Sequence, residues 1–192
     1  MHNDSNNARD GDVSSAEAKA VIAFWRSAGP RLWFAKDVGF DEQFRTAFLA
    51  HHEAAARGDY VDWARTAYGA LALTILLDQF PRNAFRDTQR MYATDAMACA
   101  VTNAAVNAGL DRHIDDQLVV FLYLPFGHSE RLIDQERCVA LMARLDEPAP
   151  THARRHRDII RRFGRFPHRN PILGRSMTAE EQCYLDTGGY QG

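Results

Sequence analysis

The chain has 192 residues, 46% of them apolar and 25% charged, with a formal net charge of −2. These proportions exclude a wholly disordered chain, a collagen-like repeat and a disulfide-stapled miniprotein, and they fit one domain with at most a small appendage. No stretch approaches the roughly 20 consecutive apolar residues of a membrane span. Met1-His2-Asn3-Asp4-Ser5 lacks the charged-then-apolar pattern of a signal peptide. A cytoplasmic location without a membrane partner is expected.

Residues 1–12 are polar and without apolar periodicity, and read as a flexible N-terminal tail; a single all-helical domain is expected over residues 13–192. Ser14-Ser15-Ala16-Glu17 predicts a capping box. The helix it opens has Val21, Ile22, Trp25 and Ala28 on one face and is expected to end at Gly29-Pro30. A second helix is predicted from about Asp41 to Arg57, with Phe44, Phe48 and Ala55 on one side and Gly58 as its stop. The third spans about Val61 to Gln79. It is apolar on every side from Leu71 to Leu77, which predicts a central position, and Pro81 is expected to limit it.

A loop follows from Arg82 to about Arg90, and then an Ala-rich helix, Ala93 to Ala108, with Gly109 as C-terminal stop. Asp116 to Leu124 is too short for periodicity to separate helix from buried strand. Since no other segment offers a strand partner, it is read as helix, broken by Pro125-Phe126-Gly127. Glu130 to Leu145 is helical, Glu147 to Pro150 a linker, and Thr151 to Phe163 the next helix. Residues 164–177 are irregular, and Thr178-Ala179-Glu180-Glu181 is a second capping box opening a short helix to about Asp186. Seven or eight helices on short connections predict an all-α fold, with antiparallel hairpins stacked as a bundle or a tetratricopeptide-like superhelix. No clean 34-residue repeat with a tetratricopeptide consensus is present.

Several polar residues fall on apolar stripes. Asp78 aligns with Ala64, Tyr68, Leu71 and Ile75, and a buried carboxylate needs a partner. Arg82 and Arg86 follow closely enough to supply one. Glu136 aligns with Leu132, Val139, Ala140 and Ala143 and is expected to point inward. His156 aligns with His152, Ile159, Ile160 and Phe163. His152 and His156 have a spacing that metal sites use, but no Glu lies between them as in His-Glu-x-x-His. Two corners, Phe80-Pro81-Arg82-Asn83 and Phe166-Pro167-His168-Arg169-Asn170, resemble each other.

His128-Ser129-Glu130 shares His-x-Glu with zinc deaminases, but no Pro-Cys-x-x-Cys follows. Ser129 reads as a cap for the next helix. Cys99, Cys138 and Cys183 are odd in number and widely spaced, against a zinc site or a disulfide framework. No glycine-rich phosphate loop occurs. No metal and no cofactor are expected.

Charge is uneven. Residues 1–153 hold 15 Lys and Arg against 21 Asp and Glu, whereas residues 154–175 hold eight Arg against one Asp. The basic segment could track phosphates or neutralise the acidic body by folding against it.

Three long segments together resemble a known family. They are Leu76-Leu77-Asp78-Gln79-Phe80-Pro81-Arg82-Asn83 with Arg86; Tyr123-Leu124-Pro125-Phe126-Gly127-His128-Ser129-Glu130 with Asp134-Gln135-Glu136-Arg137; and His156-Arg157-Asp158-Ile159-Ile160 leading to Phe163-Gly164-Arg165-Phe166-Pro167-His168-Arg169-Asn170 and Leu173-Gly174-Arg175. The family is a bacterial domain of unknown function, and the resemblance covers roughly residues 18–187. It implies a tetratricopeptide-like all-helical fold and no particular reaction. The chain departs from the family pattern at Ser176-Met177, where members tend to have Pro-Ser or Pro-Thr. It also departs at Gly127, where a Glu is frequent; this removes a carboxylate beside His128.

Four functions are compatible with these residues. The leading one is a binding module, with Arg82, Asn83, Arg165, His168, Arg169 and Asn170 gripping an anionic small molecule or an acidic peptide. The second is a hydrolase-like enzyme on an anionic substrate. There His128, His156 or His168 is general base or acid, Asp78 or Glu136 orients it, and arginine stabilises charge. The third is a buried polar network that only fixes helix packing. RNA binding through residues 154–175 ranks last, because Phe163 and Phe166 are its only stacking surface.

Overall fold

The computed structural model describes residues 15–192; the expected tail, residues 1–12, lies outside them. The fold is all-α, with no strand among the described residues. Helix α1 (Ala16–Trp33) starts at Ser15, whose hydroxyl accepts the Ala18 N–H at 3.1 Å. The cap is thus Ser15 rather than Ser14, and Glu17 falls one residue short of completing a box. Gly29-Pro30 does not end the helix but kinks it: Gly29 takes φ 69°, ψ 174°, and Pro30 begins a further turn.

Helix α2 (Val38–Arg57) begins earlier than periodicity implied, because Asp37 caps it by accepting the Phe40 N–H at 2.8 Å. Gly58 closes it at φ 86°, a left-handed position suited to glycine. The predicted third helix is three pieces. A 3₁₀ turn (Val61–Arg65) precedes α3 (Ala67–Thr74), which runs through a π-helical turn (Ile75–Gln79) into α4 (Phe80–Ala84). Every residue from 67 to 81 is buried. Pro81 therefore does not stop the helix.

The wide turn explains how Pro81 is tolerated. Phe80 N–H reaches back five residues to the Ile75 carbonyl, and Pro81 has no N–H for Leu77. The carbonyls left over are taken by side chains. His52 Nδ1–H donates to Leu76 O at 2.9 Å, and Thr94 Oγ–H donates to Leu77 O at 2.5 Å.

The remaining helices are α5 (Asp95–Asn107), α6 (Val119–His128), α7 (Leu132–Met142), α8 (Ala149–Phe163) and α9 (Ala179–Asp186), with 3₁₀ turns at 89–92, 110–113 and 167–169. Pro125 again lies inside a helix, and α6 continues past it to His128. Thr178 and Glu181 form the predicted capping box. α3 packs on α1, α5 and α6, while α7 packs between α6 and α8.

The main core is aromatic. Trp25, Phe44, Phe80 and Phe121 are fully buried, and Trp25 meets Phe121 edge to face at 5.1 Å. A smaller cluster gathers Ile159, Ile160 and Phe166 with Phe163, Tyr184 and Tyr190. No described helix is long and apolar enough to cross a membrane.

Candidate functional site

Asp78 projects from the π turn and has no solvent exposure. Its carboxylate accepts Nδ1–H of His128, at 2.8 Å to Oδ1 and 3.0 Å to Oδ2. Gln79 Nε2 donates to Oδ2 at 2.7 Å, and Arg82 Nη1 lies 3.1 Å from Oδ1. Burial alone would raise the Asp78 pKa, but Arg82 and then His128 outweigh it and hold the carboxyl below its usual range.

His128 moves the other way. Burial first and the Arg82 charge second push its pKa below 6.5, against the pull of Asp78. The pair at neutral pH is therefore a carboxylate and a neutral imidazole, with Arg82 as the counter-charge. Asp78 fixes the tautomer with the proton on Nδ1. His128 Nε2 then carries the lone pair. It has no hydrogen-bond partner among the described residues, and the side chain keeps 15% of its surface open.

The two Phe-Pro corners meet at Asp95, the first residue of α5. Arg82 donates to both its oxygens at 2.9 and 3.1 Å, and Arg169 Nη1 reaches Oδ2 at 3.3 Å. Arg169 also donates from Nη2 to the His128 carbonyl at 3.0 Å. Its guanidinium is held between Tyr92 and Phe166, at 4.5 and 4.6 Å from the ring centroids. Burial and the neighbouring Arg82 lower its pKa. Its Nε is buried without a partner.

Two further imidazoles stand beside this centre. His156 donates from Nδ1 to Gly127 O at 3.1 Å, and its ring lies 6.4 Å from that of His128. Burial, reinforced by His128, drops its pKa to about 3. His168 is likewise lowered to about 3, by burial and then Arg169, and its Nδ1 is buried without a partner. Gly127 is closed in: a Cβ there would lie 3.1 Å from Cys138 Sγ.

The structure thus brings together Asp78, Arg82, His128, His156, His168 and Arg169. It places the other four expected residues elsewhere. Glu136 does not point inward: 42% of its side chain is exposed and it pairs with Arg161 at 2.6 Å, because α7 turns that face toward α8. Asn83 Nδ2 donates to Asp41 at 2.7 Å, beside the Arg86–Asp41 pair. Arg165 binds Glu181 at 2.6 Å. Asn170 accepts from Arg175, which itself pairs with Glu130 at 2.7 Å.

Ser129 accepts the Arg131 N–H at 3.2 Å and donates to Asp134 at 2.7 Å, supporting the start of α7 from two residues upstream of its cap. Asp95, Tyr92 and Tyr190 were not singled out by sequence. Asp95 is a lone carboxylate at the head of an Ala-rich helix, and only the meeting of the two corners gives it a role. No group of three or more His, Cys, Asp or Glu side chains is arranged to hold a metal ion among the described residues.

Fold and centre together define an all-helical protein with an internal aspartate–histidine dyad backed by two arginines, Arg169 buried and Arg82 nearly so. The chain belongs to DUF924, a family of bacterial proteins of unknown function, whose family model matches residues 21–189. It is similar to the solved structure of ATU0120, a protein of unknown function from Agrobacterium tumefaciens. The two chains are 47% identical, the match covers 89% of this chain and 97% of that one, and the TM-score is 0.87. No curated protein matches the chain.

Proposed function

We propose that the chain is an acid–base enzyme, hydrolase-like, acting on a small molecule that reaches Nε2 of His128. The observation that carries this reading is the neutral His128, oriented through Nδ1 by the buried Asp78, with an unpartnered lone pair beside two guanidinium groups. A group in that state removes a proton from water or from a substrate hydroxyl. Asp78 positions it, and Arg82 and Arg169 oppose negative charge that develops nearby. Asp78 and Asp95 already balance these two arginines, so the centre asks for a substrate of low net charge rather than a polyanion. The reading takes residues 13–192 as one cytoplasmic domain with tetratricopeptide-like helix stacking.

A second reading is binding without turnover, and the partnerless Nε of Arg169 favours it, since a ligand oxygen would satisfy that atom. The two readings separate on His128→Gln. Hydrolysis of a panel of p-nitrophenyl acetate, butyrate and phosphate is followed for the wild-type chain, His128→Gln and Asp78→Asn. The enzyme reading expects His128→Gln to lose roughly 10²–10⁴ in kcat/KM. Equal rates for wild type and His128→Gln across the panel would overturn it.

A further inference from the structure

The segment after α9 folds back over the imidazoles. Gly188 turns the chain at φ 87°, and at Gly189 a Cβ would come 2.5 Å from Tyr184. Tyr190 N–H then donates to Tyr184 Oη at 3.0 Å. The Tyr190 ring lies 4.8 Å from His156 and 5.1 Å from His168, centroid to centroid. Its hydroxyl makes no hydrogen bond to any described residue, so the side chain is held by ring contacts alone. Burial raises the phenol pKa, and the charges of Arg169, Arg82 and Arg155 oppose that rise.

Arg155 covers the same ring, with Cζ 5.1 Å from the centroid. The other seven arginines of residues 154–175 each lie within 4 Å of a carboxylate. Arg155 has no such partner among the described residues, and its guanidinium is free to hold an aromatic face. Two imidazoles beside the ring and a cation over its face make a seat matched to an electron-rich ring such as a phenol.

We propose that Tyr190 is the resident occupant of a ligand subsite beside His128, and that the ligand displacing it is a hydroxyaryl compound. The ligand ring lies against His156 and His168 under Arg155, and its hydroxyl takes the place of the Tyr190 hydroxyl. This rests on the reading of His128 as the functional centre, but binding at the subsite does not require the dyad to turn anything over. A tethered occupant lowers the apparent affinity of a free one by the fraction of time the seat is filled.

The test uses p-cresol, with 4-methylcyclohexanol as a non-aromatic compound of similar size, titrated into the wild-type chain and Tyr190→Ala. The readout is the imidazole NMR signals of His156 and His168. The proposal expects p-cresol to bind Tyr190→Ala at least about tenfold more tightly than wild type. It also expects 4-methylcyclohexanol not to bind, and Arg155→Ala to weaken p-cresol several-fold. Equal p-cresol affinity for wild type and Tyr190→Ala overturns it. So does equal binding of the two compounds, which marks a mere apolar hole, and so does no binding to either chain.

If Tyr190→Ala does not fold, the wild-type chain decides. Saturating p-cresol must move the Tyr190 ring signals together with those of His156 and His168, and unmoved signals overturn the proposal. Binding of p-cresol to His128→Gln, where that variant hydrolyses esters at the wild-type rate, would remove the catalytic reading and leave the subsite. The converse pattern would remove only the subsite.

Discussion

His128 and Asp78 titrate in a way that fixes the pH dependence of any base chemistry. Because burial and Arg82 lower the His128 pKa from 6.5, the lone pair on Nε2 is already available at neutral pH. The rate is therefore expected to be flat from about pH 7 upward and to fall on acidification, with its midpoint below 6.5. Asp78, with a smaller contribution from Asp95, raises this pKa against the other two influences. Asp78→Asn should move the acid limb to still lower pH while reducing the plateau, since the tautomer is no longer fixed. Initial rates between about pH 4.5 and 8.5 check it, and a limb that moved upward would contradict the assignment of the dyad.

At this scale the sequence was informative where helical phase and proline corners converge. Asp78, Arg82, His156 and Arg169 were singled out in this way, and His128 through the segment after the apolar run and through the family resemblance. It misled at Glu136, because a stripe with Val139 and Ala140 specifies only that one face is more apolar. It does not say that the face ends before α8 supplies Arg161. Asp95 and Tyr190 had no signal, since their roles exist only through partners 13 to 74 residues away.

The elements were legible as periods and illegible as boundaries. Ser, Thr and Asp caps and glycine stops work through a single residue's own dihedral angles and hydrogen bonds, so Gly58 and the Thr178 box fall where they were expected. Prolines were read as terminators by the same local logic, and at Pro30, Pro81 and Pro125 that reading fails. The cost of a proline in a helix is an unpaired carbonyl one turn earlier, and a tertiary donor can remove it. At Pro81 the donor is Thr94, which precedes α5 but does not cap it, because its hydroxyl is committed to Leu77 O.

Thr94→Ala should then cost about 1–3 kcal/mol in urea unfolding, the usual loss for a buried carbonyl left without its donor. Thr94→Ser should recover most of it. If the alanine variant unfolds at the wild-type midpoint, the π turn does not depend on this bond. The turn also matters for position: it shifts the phase of the helix just where Asp78 leaves it, so that Asp78 and Arg82 meet the same neighbours.

At the scale of the whole molecule, seven of the eight arginines of the basic segment pair with carboxylates among the described residues, Arg155 being the exception. Arg154, Arg157, Arg161, Arg162, Arg165, Arg169 and Arg175 are matched to Glu147, Glu136, Glu180, Glu181, Asp95 and Glu130. Of the two uses open to that segment from its composition, folding against the acidic body is the one its contacts support. The buried imidazoles set how the fold responds to acid. His156 and His168 have folded-state pKa values of about 3, below the unfolded value near 6.5, so between those limits the unfolded chain binds more protons. Stability should thus fall as pH drops below about 6.5, by at most about 1.4 kcal/mol per pH unit for each histidine. The lowered carboxyls of Asp78, Glu130 and Glu181 add to the loss only below about pH 4.5, where they would protonate in the unfolded chain. Thermal melting at about pH 7, 6 and 5 checks the histidine window, and His168→Gln should flatten it.

The small cluster of Ile159, Ile160 and Phe166 has a consequence for how the protein fails. Asp78, Arg82 and Asp95 are carried by helices rooted in the large aromatic core, whereas His168, Arg169 and Tyr190 are carried by segments anchored in the small one. The centre is a seam between a deep reservoir of apolar contact and a shallow one. Local opening follows the shallow side, because regions with little buried apolar area detach at a fraction of the global free energy. If that side were to swing away, Asp95 would keep Arg82 and lose Arg169. Integrity of the seam and foldedness of the chain are therefore expected to be separate quantities, the first lost at a lower temperature or denaturant concentration than the second.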